Sequence, residues 1–365
     1  MAGGKITGMS LIRTTPPRPV EVTAVFPELA GFARSAIRLH PRPGSPSAQD
    51  SSVGGPLLWP AGEPWPHCED AHLHSGTGFR ESLTEVRLER RLQDRWRPGG
   101  PSPVLTSEEQ LLQERDATRL AARFEEDLPA PEQCPVPMLP VAQLFARDVP
   151  LLHPPKGADV LQVLWCPYEH EPDCKPATAL VWRSAAEVGD VHTTPPQPYE
   201  ADYPGYVPEP CVLAPEAITD YPDSLELDPD LQRRLGDGDK WLAADAALDS
   251  SYEEDPDAFY TIHLGSAPGW KVGGWAPWGR TDPIPRHCAV CEVRMVPLLT
   301  IASFEWQGGD GHSWAPQEDQ AAAQACHYAG QDPSQPTRVE VGRTDNMQIY
   351  VCPASPEHPH TDLIQ

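Results

Sequence analysis

The chain repeats itself, and that repetition limits what it can fold into. Residues Val53 to Pro60 read VGGPLLWP, and residues Val272 to Trp278 read VGGWAPW. Thirteen residues after Gly55 comes Cys68, preceded by His67; fourteen after Gly274 comes Cys288, preceded by His287. CPVPMLPVAQL (134–144) then matches CEVRMVPLLTI (291–301), with Cys, Val, Met and Pro at shared offsets. LQVLWCPYEHEP (161–172) matches MQIYVCPASPEHP (347–359) through Gln, an apolar run and Cys-Pro. Four ordered blocks in one chain argue for two related halves and not for a short-period solenoid.

The segments between the blocks fill in the fold class. VAQLFARDVPLL (141–152), DVLQVLWCP (159–167), ATALVWR (177–183), EVRMVPLLTIASFEW (292–306) and NMQIYVCP (346–353) are rich in β-branched and aromatic residues. Pro, Gly and Asp bound them, which predicts strands. ESLTEVRLERRLQDRWRPGG (81–100) and SEEQLLQERDATRLAARFEEDL (107–128) predict two helices. The second opens on a capping-box pattern at Ser107 and Gln110 and carries a stripe through Leu111, Leu112, Leu120, Ala121 and Phe124. These helices form an insertion, residues 79–128, between Cys68 and Cys134, where the second half has only Ala289 and Val290. The expected fold is α+β and mainly β, with two pseudo-symmetric sheet units packed together. Residues 1–27 form a loose start, 28–185 the first half, 186–250 an acidic Pro-rich connection and 251–365 the second half. A short helix entering a strand is expected within 28–42, and short helices after Asp228-Pro229 and from Glu318 to Ala329.

The cysteines follow the repeat. Cys68 corresponds to Cys288, Cys134 to Cys291 and Cys166 to Cys352; Cys174, Cys211 and Cys326 have no counterpart. Cys288-Ala289-Val290-Cys291 is a C-x-x-C, which presents two sulfurs about one zinc radius apart, and zinc takes four N/S ligands in a tetrahedron. Cys352 offers a third ligand, and His358, His287 or Cys326 a fourth. In the first half Cys68, Cys134 and Cys166 match, with His170, Cys174 or His67 to complete the set. Structural zinc is one reading. Buried thiols repeated with a duplicated core are the second, and a disulfide or redox role is the third.

The repeated glycines Gly54, Gly55, Gly273 and Gly274 lack the spacing of a phosphate loop and read as tight turns with close backbone approach. The tryptophans beside them, Trp59, Trp275 and Trp278, are candidate binding anchors if exposed. No nucleophile elbow, metalloprotease helix, kinase set or phosphate loop is present in the sequence. His263, His312 and His327, and the WQGGDGHSW loop (306–314) with Asp310 and His312, are the only enzyme-like features. They carry no catalytic residue assignment.

Composition narrows the partners. The net charge of −25 argues against nucleic acid and toward a basic protein partner. The arginines at 87, 90, 91, 95 and 97 are interleaved with acidic residues and read as a solvated helix face. Forty-six prolines beside 39% hydrophobic residues suggest long ordered loops on a modest core, and 11 tryptophans argue against disorder. The sequence shows neither a signal-peptide apolar region nor an 18-residue apolar run, so the expectation is a cytoplasmic protein with no membrane partner and with its nine cysteines as thiols.

At these blocks the chain resembles the YwqG-like family of bacterial proteins, which has no assigned function. The likeness lies in SSVGGPLLWP (51–60), PMLPVAQLF (137–145), GADVLQVLWCP (157–167), YVPEPCVLAPEAITDYP (206–222), KVGGWAPW (271–278) and VPLLTIASFEW (296–306). There is a fainter similarity to the programmed cell death protein 2 family in the Gly-Gly turn, the C-x-x-C and a strand ending in Cys. The resemblance implies a duplicated β-rich fold and an adaptor, chaperone-like or toxin-neutralising role. The 79–128 insertion and the extra cysteines depart from the pattern. The leading expectation is a non-enzymatic protein-binding module; the alternative is a hydrolase or metal-dependent enzyme using a cleft between the halves.

Overall fold

The computed structural model describes residues 12–72, 80–97, 99–125, 135–244, 256–306, 313–324 and 332–365. In chain order the strands are β1 (Arg34–Arg38), β2 (Arg42–Pro43), β3 (Ser52–Val53), β4 (His67–Cys68), β5 (Glu81–Ser82), β6 (Val136–Pro137), β7 (Leu139–Phe145) and β8 (Val160–His170). They continue as β9 (Lys175–Arg183), β10 (Glu200–Ala201), β11 (Cys211–Val212), β12 (Glu216–Asp220), β13 (Lys271–Gly273), β14 (Val296–Ala302), β15 (Asn346–Val351) and β16 (Thr361–Ile364). Sheet one runs β2-β11-β3-β7-β8-β9 and sheet two runs β12-β1-β13-β14-β15-β16; β4-β6 and β5-β10 are short ribbons. The fold is α+β with more strand than helix, and no described helix is long and apolar enough to cross a membrane.

The two sheets are wired alike. In sheet one Val53 lies between Cys211 and Ala142; in sheet two Val272 lies between Ile37 and Leu299. The next ladder carries a bulge between Pro140 and Ala142 in one sheet and between Pro297 and Leu299 in the other. A side-chain hydrogen bond joins Gln162 to Gln143 at 2.9 Å, and Thr300 to Gln348 at 2.6 Å, at matching register positions. The first two strands cross over. Residues 34–38 pair with 216–220 in sheet two, while 42–43 pair with 211–212 in sheet one, in one unbroken register. Each sheet thus takes one strand from the chain segment that otherwise serves its neighbour. The stretch read from sequence as a Pro-rich connection contributes β11 and β12 to this crossing.

Strand periodicity explains the layers. Along β8, Leu161, Val163 and Trp165 point into the core between the sheets, which they share with Val272, Leu299, Ile301, Met347 and Ile349. Leu164, Cys166 and Tyr168 point to the outer face and pack on Trp59, Trp65 and Met138. Both faces are covered, so the strand reads as an almost continuous apolar run. A satellite core around Trp241 gathers Phe26, Leu231, Phe259 and Tyr260, partly from the helix Pro229–Leu235, whose N-cap is Asp228 as the sequence suggests.

The insertion forms the helices Leu83–Arg95 and Ser107–Glu125. The capping box sits one residue earlier than expected: Thr106 accepts from the Glu109 amide at 3.3 Å, and Glu109 accepts from the Thr106 amide at 2.8 Å. The apolar stripe is also not core-facing where it is described, because Leu111 and Leu120 are exposed. Of the helix expected from Glu318, a short turn and Gln320–Gln324 are seen, and the rest lies outside the described residues.

The Gly-Gly turns sit where the strands cross. Gly54 and Gly273 have φ of +61° and +73°, and a Cβ on Gly54 would lie 2.7 Å from the Glu209 carbonyl oxygen. Gly274, at φ +70°, leaves no room for a side chain because the Asp220 carboxylate fills that space. Asp220 is fully buried and accepts from Lys271 Nζ at 2.9 Å, the Trp275 amide at 2.8 Å and the Ala267 amide at 2.7 Å. Lys271 is also fully buried, and burial pulls its pKa down against the pull of Asp220. Nearby, the buried Arg38 donates to Thr15 Oγ1 and to the Trp314 and Glu305 carbonyls.

Two predictions follow from this buried charge. Lys271→Met leaves Asp220 as an uncompensated buried anion and should cost about 3–5 kcal/mol of unfolding free energy in urea at pH 7. His40 is buried, with Nε2 3.1 Å from Glu216, yet desolvation outweighs that carboxylate and lowers its pKa to about 4 from 6.5. The unfolded chain therefore binds the extra proton. Stability from this group is intact above pH 6.5 and is lost as the pH falls toward 4, by about 1.4 kcal/mol per pH unit. His40→Asn should remove that slope from urea titrations between pH 7 and pH 5; an unchanged slope would contradict the assignment.

Candidate metal centres

Two four-donor sets lie on the outer faces of the two sheets. Cys68, His72, Cys166 and His170 bring their donor atoms within 4.8 Å of one another, and so do Cys288, Cys291, Cys352 and His358. In the first set, Cys166 Sγ is 3.3 Å from His72 Nε2, and Cys68 Sγ is 3.7 Å from His170 Nε2. In the second, Cys291 Sγ is 3.5 Å from Cys352 Sγ, and His358 Nδ1 is 3.3 Å from Cys288 Sγ and 3.7 Å from Cys291 Sγ. A tetrahedral ion with M–S of about 2.3 Å and M–N of about 2.0–2.1 Å sets S···S near 3.8 Å and S···N near 3.6 Å. The separations of 3.3–3.7 Å lie close to those edges, so either set could hold a metal ion.

Local structure delivers each donor. β4 pairs with β6 and carries Cys68 at its end, so a turn of four residues brings His72 alongside. Cys166 and His170 lie on one strand, where four straight residues would span about 13 Å. The register between β8 and β9 shifts between Trp165 and Glu169, and this irregularity folds His170 back over Cys166. In the second set the Cys288 turn closes with the Cys288 amide donating to the Val293 carbonyl and the Glu292 amide to the Cys288 carbonyl. The Val290 amide points at Cys288 Sγ, 3.4 Å away. Cys352 follows β15 directly, and a turn through Ser355 returns His358.

The electrostatics favour a cation at both centres. Burial works against the Cys352 thiolate, but the Ser355 and Ala354 amides and His358 outweigh it and bring the thiol down to about 6. Cys68 is held low chiefly because the Cys166 thiol donates to it, and Cys166 is pushed up by the same contact. Two sulfurs so placed cannot both ionise without a positive charge between them. A bound divalent ion removes that conflict.

These sets correct parts of the sequence reading. Cys68, Cys166, Cys288, Cys291 and Cys352 come together as expected, with His170 and His358 among the foreseen fourth ligands. Cys174 is exposed and outside both sets, because β8 turns back at His170 before the chain reaches it. Cys134 and Cys326 lie outside the described residues, as do His312, His327 and Asp310. His72 was missed. Aligning Cys68-x3-His72 with Cys288-x2-Cys291 would have found it, whereas the Met-Pro match drew attention to Cys134.

The tryptophan anchors do not stand. Trp59, Trp275 and Trp278 are 2%, 7% and 9% exposed. Trp59 packs on Trp65 at 5.3 Å beside the first donor set, and Arg183 lies over its other side. Trp278 packs against Ala276, Cys288 and Met295 and donates to Glu226 at 2.9 Å. Trp275 donates to the Phe32 carbonyl at 2.9 Å. They are apolar cover for the outer sheet faces. Among the enzyme-like histidines, His263 is buried and bonds Ser313 Oγ at 2.7 Å.

Comparison with protein-family models finds no match, and comparison with curated proteins finds none. The likeness to YwqG-like proteins rests on the quoted blocks alone.

Serine replacements separate cluster cysteines from the others. Cys166→Ser should cost about 2 kcal/mol or more in urea unfolding, since it buries a hydroxyl beside Cys68, His72 and His170 in place of a donor sulfur. Cys174→Ser should stay within about 0.5 kcal/mol of the parent chain.

Proposed function

We propose that this chain is a non-catalytic binding protein built on an internally duplicated sandwich, with one structural zinc stapling the outer face of each half. The observation that carries this reading is that both donor sets are closed: four protein ligands each, including two or three sulfurs, drawn from a loop knuckle and a neighbouring strand segment. Structural zinc takes such complete Cys/His spheres, whereas catalytic zinc keeps one position for water or substrate. Bound zinc supplies positive charge and a fixed geometry, and the cysteines and histidines supply all four bonds. The matching ladders, bulges and Gly-Gly turns support the duplication.

The binding part rests on charge. At −25 the surface attracts basic polypeptides and speeds encounter at low salt. Adaptor or chaperone-like action is the class of role that fits a rigid, acidic, metal-stapled scaffold. With Trp59, Trp275 and Trp278 buried, affinity would come from acidic surface and loops and not from those three anchors.

Protein purified without chelator should contain two zinc ions per chain by elemental analysis, and a strong chelator should lower its melting temperature by many degrees. The zinc-loaded chain should bind an arginine-rich peptide with affinity that falls steeply between low and physiological salt. A metal-free, fully folded chain would overturn the zinc reading. Turnover of an ester, phosphate or peptide substrate that is lost on mutating a clustered Asp or His would overturn the non-catalytic one.

A further inference from the structure

The outer face of sheet two holds a cavity of about 140 Å³ beside the second donor set. Three cations surround it (Arg34, Arg286 and Arg294), Trp275 and Trp278 wall it, and Tyr350 lines it. Glu226 is the one carboxylate in the lining, and it is occupied: Trp278 Nε1 donates to it at 2.9 Å, and Arg294 approaches it at 3.7 Å. Arg34 is stacked on Trp275, its guanidinium carbon 3.2 Å from the ring centre. The cavity therefore carries excess positive charge in a strongly acidic chain.

Among the described residues, two of its polar atoms have no partner. Tyr350 is 5% exposed, and its hydroxyl makes no hydrogen bond; the buried Nε of Arg286 makes none either. Buried donors are almost always paired, and an orphan donor costs stability. Sheet one shows that the hydroxyl is not needed for packing. There Pro140 pairs with Leu164 at the register position where Pro297 pairs with Tyr350, and Leu164 sits in an apolar cluster with Trp59 and Met138.

We propose that this cavity binds the carboxylate of a small ligand that carries a short apolar body. The Tyr350 hydroxyl and Arg286 Nε–H donate to the carboxylate oxygens, and arginine suits that planar group. Trp275, Trp278 and the neighbouring Ile284 receive the apolar body. The volume admits a group about the size of one amino-acid residue, either a free acid or the last residue of a polypeptide. The site goes beyond the charge-driven binding proposed above and does not depend on it.

The test is a fluorescence titration of the metal-loaded protein as purified, read through its tryptophans. The probes are 4-methylpentanoate, its amide, a short peptide ending in leucine with a free C-terminus, and inorganic phosphate. The acid should saturate the signal and the amide should not. Binding by the peptide as well would name a chain terminus as the source; binding by the free acid alone would name a small molecule. Tyr350→Phe keeps the ring and should weaken the acid about tenfold with little change in melting temperature. Arg286→Gln should weaken it independently. The proposal is overturned if acid and amide titrate alike, if no acid binds, if both variants bind as tightly as the parent, or if phosphate binds and the acids do not. Zinc content measured on the same sample keeps this result separate: a metal-free chain that binds the acid leaves the cavity assigned and removes only the staple.

Discussion

One buried carboxylate organises the place where the two sheets meet. Asp220 ends β12, and its oxygens take Lys271 Nζ from β13 and two amides from the chain around it. A charge with no exposure is tolerable only with a cation and hydrogen bonds on every side. That requirement dictates its neighbours. Gly274 must be glycine because the carboxylate occupies the space of its side chain, and Lys271 must reach inward although it lies on a strand. The sequence motif Lys271-Val272-Gly273-Gly274 is thus the imprint of a residue some fifty positions away.

Beyond that junction the architecture depends on covering both outer faces. The inner core is large and continuous, but the apolar cluster over sheet two is small, gathered around Ala276, Trp278, Met295 and Tyr350. A cover that thin buries little apolar surface, and ordering its loops costs conformational entropy. A metal ion held by either four-donor set would add cohesion there, tying a loop knuckle to a neighbouring strand segment. The same arrangement recurs on sheet one, where His72 stands in the knuckle position that Cys291 holds on sheet two, giving two cysteines and two histidines against three cysteines and one histidine.

Much of this was legible. The apolar runs located β7, β8, β14 and β15, because strands buried on both faces leave continuous apolar runs; the Gly-Gly blocks read as turns, and the short strands β3 and β13 that lead into them were not foreseen. Five of the eight cluster ligands followed from the repeated cysteines, and His170 and His358 were within the foreseen choices. Three things were not legible. β11 and β12 are short and polar in places, and what makes them strands is a partner distant in sequence, whereas the short helix entering a strand at 28–42 was legible and is seen as Pro27–Phe32 and β1. His72 hides because histidine stands where the second donor set has Cys291. The tryptophans looked like surface anchors since a Pro- and Gly-rich neighbourhood gives no period from which to read burial.

The crossing ladder of residues 34–43 and 211–220 has a consequence for biosynthesis. Ile37 leaves the ribosome early, yet its neighbour Val272 appears only after most of the chain has been made. Sheet one in turn lacks its second strand until Cys211 arrives. Neither half can close its hydrogen-bond ladder alone, so a nascent first half presents an open sheet edge for the whole of that interval. Long-range pairing of this kind folds slowly. The same interlock means that cutting the chain between the halves would give two pieces that each hold a strand belonging to the other. Such pieces are built to find one another and to be unstable apart.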